Sequence, residues 1–255
     1  MKYFFFDIDG TLAVGEPGAQ YVPESTREAL RLLEKKGHFV AIATGRAQIM
    51  AEDIMHSFGL KNMVSDGGNG ITVDDKLIEI TPLDRDKCIA LIDECEDRGL
   101  AWGISPENTK IRLTSDEKFQ RRTNDNYIQN VVVPGLDPRD YEKIYKVYVA
   151  CDPPMEHSLS KLKGLPWVRY TKEYFYVEPI EKSRGIYRML ELIGGDPKEV
   201  VTFGDGLNDM DMFGREWLSI AVGNAAPELK AKADYVTADA ANDGIYKACR
   251  HFGWI

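Results

Sequence analysis

The sequence predicts an α/β protein: a doubly wound parallel-sheet (Rossmann-like) core, residues 1–81 and 180–255, interrupted by an inserted α+β domain, residues 82–179. Three observations carry this prediction. Apolar runs of strand length alternate with helical stretches in the first third of the chain, and the same rhythm returns in the last third. The middle has another texture, with one clear helix and several shorter runs. Pro82 and Pro179 stand at its borders, where the two crossings of an insertion need stiff linkers.

Taken in order, Lys2–Ile8 is an apolar, aromatic run that ends in carboxylates, the pattern of a strand closing on a polar loop. Pro23 opens a helix with Ala29, Leu30 and Leu33 on one face and Gly37 as its stop. Phe39–Ala43 reads as a buried parallel strand, Ala47–Phe58 as a helix ended by Gly59, and Met63–Val64 as a short third strand. Ile71–Ile80 alternates around Asp74-Asp75, a hairpin signature. In the insert, Asp84–Arg98 is the helix, and Ala101–Ser105, Ile144–Ala150 and Trp167–Thr171 are strand-like runs. A helix over Lys182–Ile193 stops at Gly194-Gly195, and the strand Glu199–Phe203 breaks at Gly204-Asp205-Gly206. Short helices near Asp209–Phe213 and Pro227–Ala231 flank a strand at Leu218–Val222.

Composition removes several function classes. The 255 residues are 44% hydrophobic, too apolar for wholesale disorder and enough for a large core. A net charge of -9 argues against nucleic acid as a partner, because duplex binding needs a basic surface. No window approaches the roughly 18 uninterrupted apolar residues of a membrane span, so no membrane partner is expected. Four cysteines without a C-x-x-C pair, Cys88, Cys95, Cys151 and Cys249, read as small buried apolar residues. With no signal-peptide pattern at the N-terminus, the expected location is a reducing cytoplasm.

The chemistry concentrates where strands end. In Phe6-Asp7-Ile8-Asp9-Gly10-Thr11 two carboxylates sit two apart, on one side of an extended chain, at the end where open α/β sheets bind ligands. Such close like charges invite a cation. One carboxylate can attack phosphorus and its neighbour can protonate a leaving oxygen, although an acidic turn is the other reading of the pair alone. Thr44-Gly45-Arg46 ends a second strand with a hydroxyl and bare backbone N–H groups, suited to a phosphate oxygen or to a plain helix cap. Gly204-Asp205-Gly206-Leu207-Asn208-Asp209 repeats the acidic strand end, and Asp205 could complete a Mg²⁺ site begun by Asp7. Lys182, at a helix start, is a cation that could neutralise nucleophile and phosphate.

In this order D-x-D-G-T, T-G-R, a lysine before a helix and G-D-G-x-N-D resemble the haloacid-dehalogenase-like (HAD) superfamily. An insert between the second and third of them resembles the Cof-type branch with its type II cap. Asn69-Gly70 before a hairpin, Ala221-Val222-Gly223-Asn224-Ala225, Ala233-Asp234-Tyr235-Val236 and Asn242-Asp243-Gly244-Ile245 match as well. The resemblance implies a Mg²⁺-dependent phosphatase working through an aspartyl-phosphate. Asp7 would be nucleophile and metal ligand; Asp9 would be general acid/base and offer its main-chain carbonyl to the metal. Thr44, Gly45 and Arg46 would bind phosphate, Asn208 would bind phosphate or position Asp9, and Asp205 and Asp209 would serve the metal. Lys182 would balance charge, with Arg184 as the alternative. The insert would be a lid that excludes water.

The expected partner is a small phosphorylated metabolite, sugar phosphates first, and the expected state a monomer or weak homo-oligomer. A phosphomutase, or a non-catalytic phospho-acceptor or metabolite-binding module, is the alternative on the same core. In the insert, Lys110, Arg112, Lys118, Arg121 and Arg122 could meet an anionic substrate but read first as a solvated charged face, and Trp102, Tyr127 and Phe175 could contact a substrate but read first as core packing. Residues 82–180 hold 15 basic and 17 acidic side chains, so most of the negative charge belongs to the proposed core.

Overall fold

The computed structural model describes residues 1–15 and 19–255. The chain divides into two compact units, Met1–Ile80 with Glu181–Ile255, and Thr81–Ile180. In chain order the first unit opens with β1 (Tyr3–Phe6), α1 (Glu24–Lys35), β2 (Phe39–Ala43), α2 (Gln48–Ser57), β3 (Met63–Ser65), β4 (Gly70–Val73) and β5 (Lys76–Ile80). The second unit contains α3 (Arg85–Asp97), β6 (Ala101–Ser105), β7 (Ile111–Thr114), α4 (Lys118–Thr123), β8 (Gln129–Val132), β9 (Lys146–Ala150), β10 (Trp167–Arg169) and β11 (Tyr174–Val177). The first unit resumes with α5 (Lys182–Ile193), β12 (Val200–Gly204), β13 (Leu218–Ala221), α6 (Pro227–Lys232), β14 (Tyr235–Val236) and α7 (Gly244–His251).

The first unit is built on an eight-stranded sheet, β14-β13-β12-β1-β2-β3-β4-β5. From β14 to β3 every pair is parallel, and the hairpin of β4 and β5 adds two antiparallel strands. The hairpin turns through Asp74 and Asp75, both with positive φ (49° and 61°), the backbone that the two-residue turn demands. Phe4, Phe5 and Phe6 are fully buried in the central strand, each contributing on the order of 2 kcal/mol by leaving water. Phe6 stacks on Phe203 of the neighbouring strand at 4.7 Å. β1 lies between β12 and β2, so the chain turns to opposite sides of it, and the crevice past its carboxyl end is where such sheets bind ligands.

The second unit has a six-stranded sheet, β10-β11-β9-β6-β7-β8, antiparallel except for the pairing of β7 with β8. Its own core gathers Cys88, Leu91, Ile92 and Cys95 of α3 with Trp102, Val147 and Phe175 of the sheet. Two expectations fail here. Arg112 is not on a solvated face: it is fully buried, with its guanidinium over the rings of Phe119 and Tyr148 and paired with Asp125. Tyr127 is not in the core but 46% exposed. All four cysteines are buried and free. Among the described residues, no helix is long and apolar enough to cross a membrane.

Candidate active site

The site grows from strand ends. Asp7 follows β1 and is held there by its own N–H, which donates to the Phe203 carbonyl of β12 at 3.0 Å. Asp205 follows β12, and Asp209 lies on the 3₁₀ turn Leu207–Met212 that comes next. Asp7, Asp205 and Asp209 each offer an oxygen within 4.8 Å of the others. Lys182, the first residue of α5, is buried among them: its Nζ donates to Asp7 Oδ1 at 2.6 Å and to Asp209 Oδ1 at 2.5 Å. The second oxygen of Asp209 accepts the backbone N–H groups of Asp205 and Gly206, both at 3.0 Å, which locks the turn around the cluster. Arg184, the alternative cation, turns instead to Asn69 and Glu181.

Gly10 explains how the strands close so tightly. Its φ is +85°, and a Cβ there would fall 2.1 Å from Asp205 Oδ2, so no side chain fits between the loops. Thr11 uses the approach, donating its hydroxyl to Asp205 Oδ1 at 2.9 Å. The loop Gly223–Ala226 braces both segments from behind: Asn224 Nδ2 donates to the Gly10 carbonyl and the Ala226 N–H to the Asp205 carbonyl, each at 2.8 Å.

The Asp9 side chain points away from the cluster. Arg46 grips it with two hydrogen bonds, Nε at 2.9 Å and Nη2 at 2.6 Å, and Gln20 Nε2 adds a third at 2.9 Å. Thr44 is buried, and its hydroxyl accepts the Arg46 N–H at 3.1 Å, while Gly45 between them is partly exposed. The cap of α2 is not Thr44. It is Asp66, whose carboxylate accepts the N–H of Gln48, eighteen residues before it, at 2.9 Å. Asn208 is exposed on its turn and hydrogen-bonds to neither Asp9 nor the cluster. Thr11, Gln20, Asn224 and Asp66 are thus the neighbours to which sequence reasoning assigned no part. Of these, Thr11 and Asn224 fall inside quoted motifs, and Asp66 in a glycine-rich stretch.

Burial and then Asp209 push the Asp7 carboxyl well above the usual range, with Lys182 opposing. Burial also lifts Asp205, to about 6, against the Thr11 hydrogen bond and with Asp209 adding to the rise. Lys182 moves the other way from an ordinary buried amine: burial would lower it, but Asp209 and Asp7 hold it above the normal lysine value. At Asp9 burial is outweighed by the hydrogen bonds of Arg46 and Gln20, so its carboxyl sits below the usual range. Three clustered carboxylates against one lysine form an all-oxygen donor set with excess negative charge, which fits a hard divalent cation.

The sequence profile of the haloacid dehalogenase-like hydrolases matches residues 4–249. The chain belongs to the haloacid dehalogenase-like hydrolases. Within that family it is similar to a putative phosphatase, YkrA of Bacillus subtilis, at 28% identity across 99% of this chain and 98% of the relative. A solved structure of a hypothetical protein from Geobacillus kaustophilus superposes with a TM-score of 0.86 at 31% identity, covering 100% of this chain and 99% of the other. A sugar phosphatase of HAD subclass IIB, BT4131, superposes with a TM-score of 0.78 at 26% identity, with full coverage of both chains. The chain is therefore a haloacid dehalogenase-like phosphatase of the Cof type, with an α/β core and an inserted α+β domain.

Proposed function

We propose that the chain hydrolyses phosphomonoesters of small metabolites, sugar phosphates first, with Mg²⁺ bound by Asp7, Asp205 and Asp209 and a covalent phosphoryl intermediate on Asp7. The observation that carries this reading is the division of labour between Asp7 and Asp9. Asp7 is buried in the cluster and held by Lys182, whereas Asp9, two residues on, is held outside it by Arg46. In the first half-step an Asp7 oxygen attacks phosphorus, the bond from phosphorus to the ester oxygen breaks, and that oxygen takes a proton from Asp9. In the second, Asp9 takes a proton from water, the water oxygen attacks phosphorus, and the bond to Asp7 breaks to release inorganic phosphate.

Lys182 holds Asp7 in position and supplies positive charge next to the transferring group. Thr44 presents its hydroxyl and Gly45 its backbone N–H to its oxygens, the Thr44 N–H being held by the Val64 carbonyl at 2.9 Å, and Asn208 is free to turn to them. Arg46 favours the ionised Asp9 that the second half-step requires; the first half-step requires the protonated form, whose proton is the one Asp9 takes from water in the second half-step of each turnover, and the Arg46 pair must loosen to admit it. When bound, Mg²⁺ would supply the charge that offsets repulsion between the three carboxylates and a phosphate dianion, with the Asp9 main-chain carbonyl as a further ligand. Choice among leaving groups is assigned to the inserted unit, residues 82–179. The reading places the enzyme in the cytoplasm, where such substrates occur, as a monomer or weak homo-oligomer.

The test uses p-nitrophenyl phosphate and then a panel of phosphorylated sugars and cofactors, each with and without EDTA. Activity that needs Mg²⁺ supports the reading; full activity in metal-free buffer defeats it. Acid quenching of the Asp9→Asn variant during turnover should leave phosphate on the peptide containing Asp7, detected by mass spectrometry.

A further inference from the structure

We infer that Asp66 is a positioning residue, and that the turn it opens ties the phosphate-binding loop to the lysine loop so that the two move as one. Its catalytic meaning rests on the phosphatase reading; its structural content does not. The backbone here is unusual: Asp66, Gly67 and Gly68 take positive φ in succession, 50°, 59° and 107°. Asp66 is one of few side chains that adopts this region, and here it does so while 5% exposed.

The strained turn is gripped from two sides. Toward the phosphate-binding loop, the Asp66 N–H donates to the Arg46 carbonyl at 2.9 Å and the Gly67 N–H to the Thr44 carbonyl at 3.2 Å. The Asp66 carboxylate accepts the Gln48 N–H at 2.9 Å and the Ser65 hydroxyl at 3.0 Å. Three alternate positions, 44 and 46 in the loop and 48 at the helix start behind it, are therefore set by one turn. Toward the lysine loop, the Glu181 N–H donates to the Gly67 carbonyl at 2.9 Å. Gly68 packs so closely that a Cβ would lie 2.1 Å from the Glu181 carbonyl oxygen and 3.3 Å from Lys182 Cα. Glycine is needed there for backbone to meet backbone. Thr44 and Arg46 on one side and Lys182 on the other thus take their relative placement from residues 66–68.

The experiment pairs Asp66→Asn with Asp66→Gly in the full chain. Asparagine keeps an acceptor oxygen and tolerates positive φ; glycine keeps the backbone and deletes the cap. Asp66→Gly should lower kcat about tenfold or more and weaken inhibition by inorganic phosphate, while Asp66→Asn stays within about threefold of the parent. Amide hydrogen exchange should quicken in Asp66→Gly in both segments, residues 44–49 and 181–185, and in Asp66→Asn in neither. In the parent chain, under increasing denaturant, the amides of Gln48, Gly67 and Glu181 should share one opening; this measurement stands even if Asp66→Gly does not fold. Separate openings, quickened exchange on one side alone, equal damage from both variants, or a folded Asp66→Gly with parental kcat would overturn the inference. A parent chain without phosphatase activity would refute the proposed function, and the exchange results would still decide the coupling.

Discussion

Each unit buries one cation completely, and the two are handled differently. Lys182 is 1% exposed and donates to Asp7 and Asp209, with Asp205 beside them. Arg112 is 0% exposed and donates to a single carboxylate, Asp125, at 2.5 Å. Its guanidinium carbon lies 4.2 Å from the Phe119 centroid and 4.5 Å from that of Tyr148, and its Nε and Nη1 atoms have no hydrogen-bond partner. At Arg112 charge is matched one to one, and the remaining area is apolar. At Lys182 carboxylates outnumber the cation. A buried charge is therefore not in itself a sign of function; the imbalance is, because it stores affinity for a further cation.

The comparison can be broken most directly at Asp7. Asp7→Asn should reduce turnover about 10³-fold or more, measured as phosphate release, since it removes the attacking oxygen's charge. Near-parental turnover would withdraw the nucleophile from Asp7. Lys182→Met should lower kcat by about 10²-fold, and Lys182→Arg should not restore it, because a planar fork cannot replace a point charge between two carboxylates. Arg112→Met should do the reverse, costing about 3 kcal/mol in denaturant unfolding by stranding Asp125, with kcat within about threefold of the parent. Adding Asp125→Leu should recover part of that stability. A loss of kcat from Arg112→Met equal to that from Lys182→Met would erase the distinction. The smallest effect concerns the thiols. Burial pushes Cys88, Cys95 and Cys249 up to about 12, so each keeps its proton until the pH approaches that value. Thiol reagents at pH 8 should label the folded chain only slowly, and unfolding in urea should release all four groups.

What was legible in the sequence is local in origin. Apolar runs that end in carboxylates at Asp7 and Asp205 mark strand ends, the two aspartates at 74 and 75 mark a hairpin, and the periodic stretch Lys182–Ile193 is the observed helix, residue for residue. What was not legible depends on partners far away in the chain. Nothing near Gln48 shows that its cap is Asp66, and a lone arginine in Ile111–Thr114 looks like any solvated charge until Phe119 and Tyr148 are folded around it. The strand Tyr174–Val177 and the helix Gly244–His251 escaped notice for the same reason: β11 exists through its pairing with β9 and β10, and α7 buries Ile245 and Ala248 in the core of the first unit. The family resemblance implies a phosphate-binding role for Arg46, and the structure adds that it holds Asp9.

The place of β1 in its sheet bears on how the chain is made. Phe4, Phe5 and Phe6 pair on one side with Val40, Ala41 and Ile42, which emerge from a ribosome soon afterwards. On the other side they pair with Val201, Thr202 and Phe203, which emerge almost two hundred residues later. Until then a row of unpaired backbone amides borders one of the most aromatic segments of the nascent protein, a template for pairing with the wrong chain. Fusions truncated before residue 200 should therefore aggregate or hold chaperones, and solubility should return once the strand Val200–Gly204 is included.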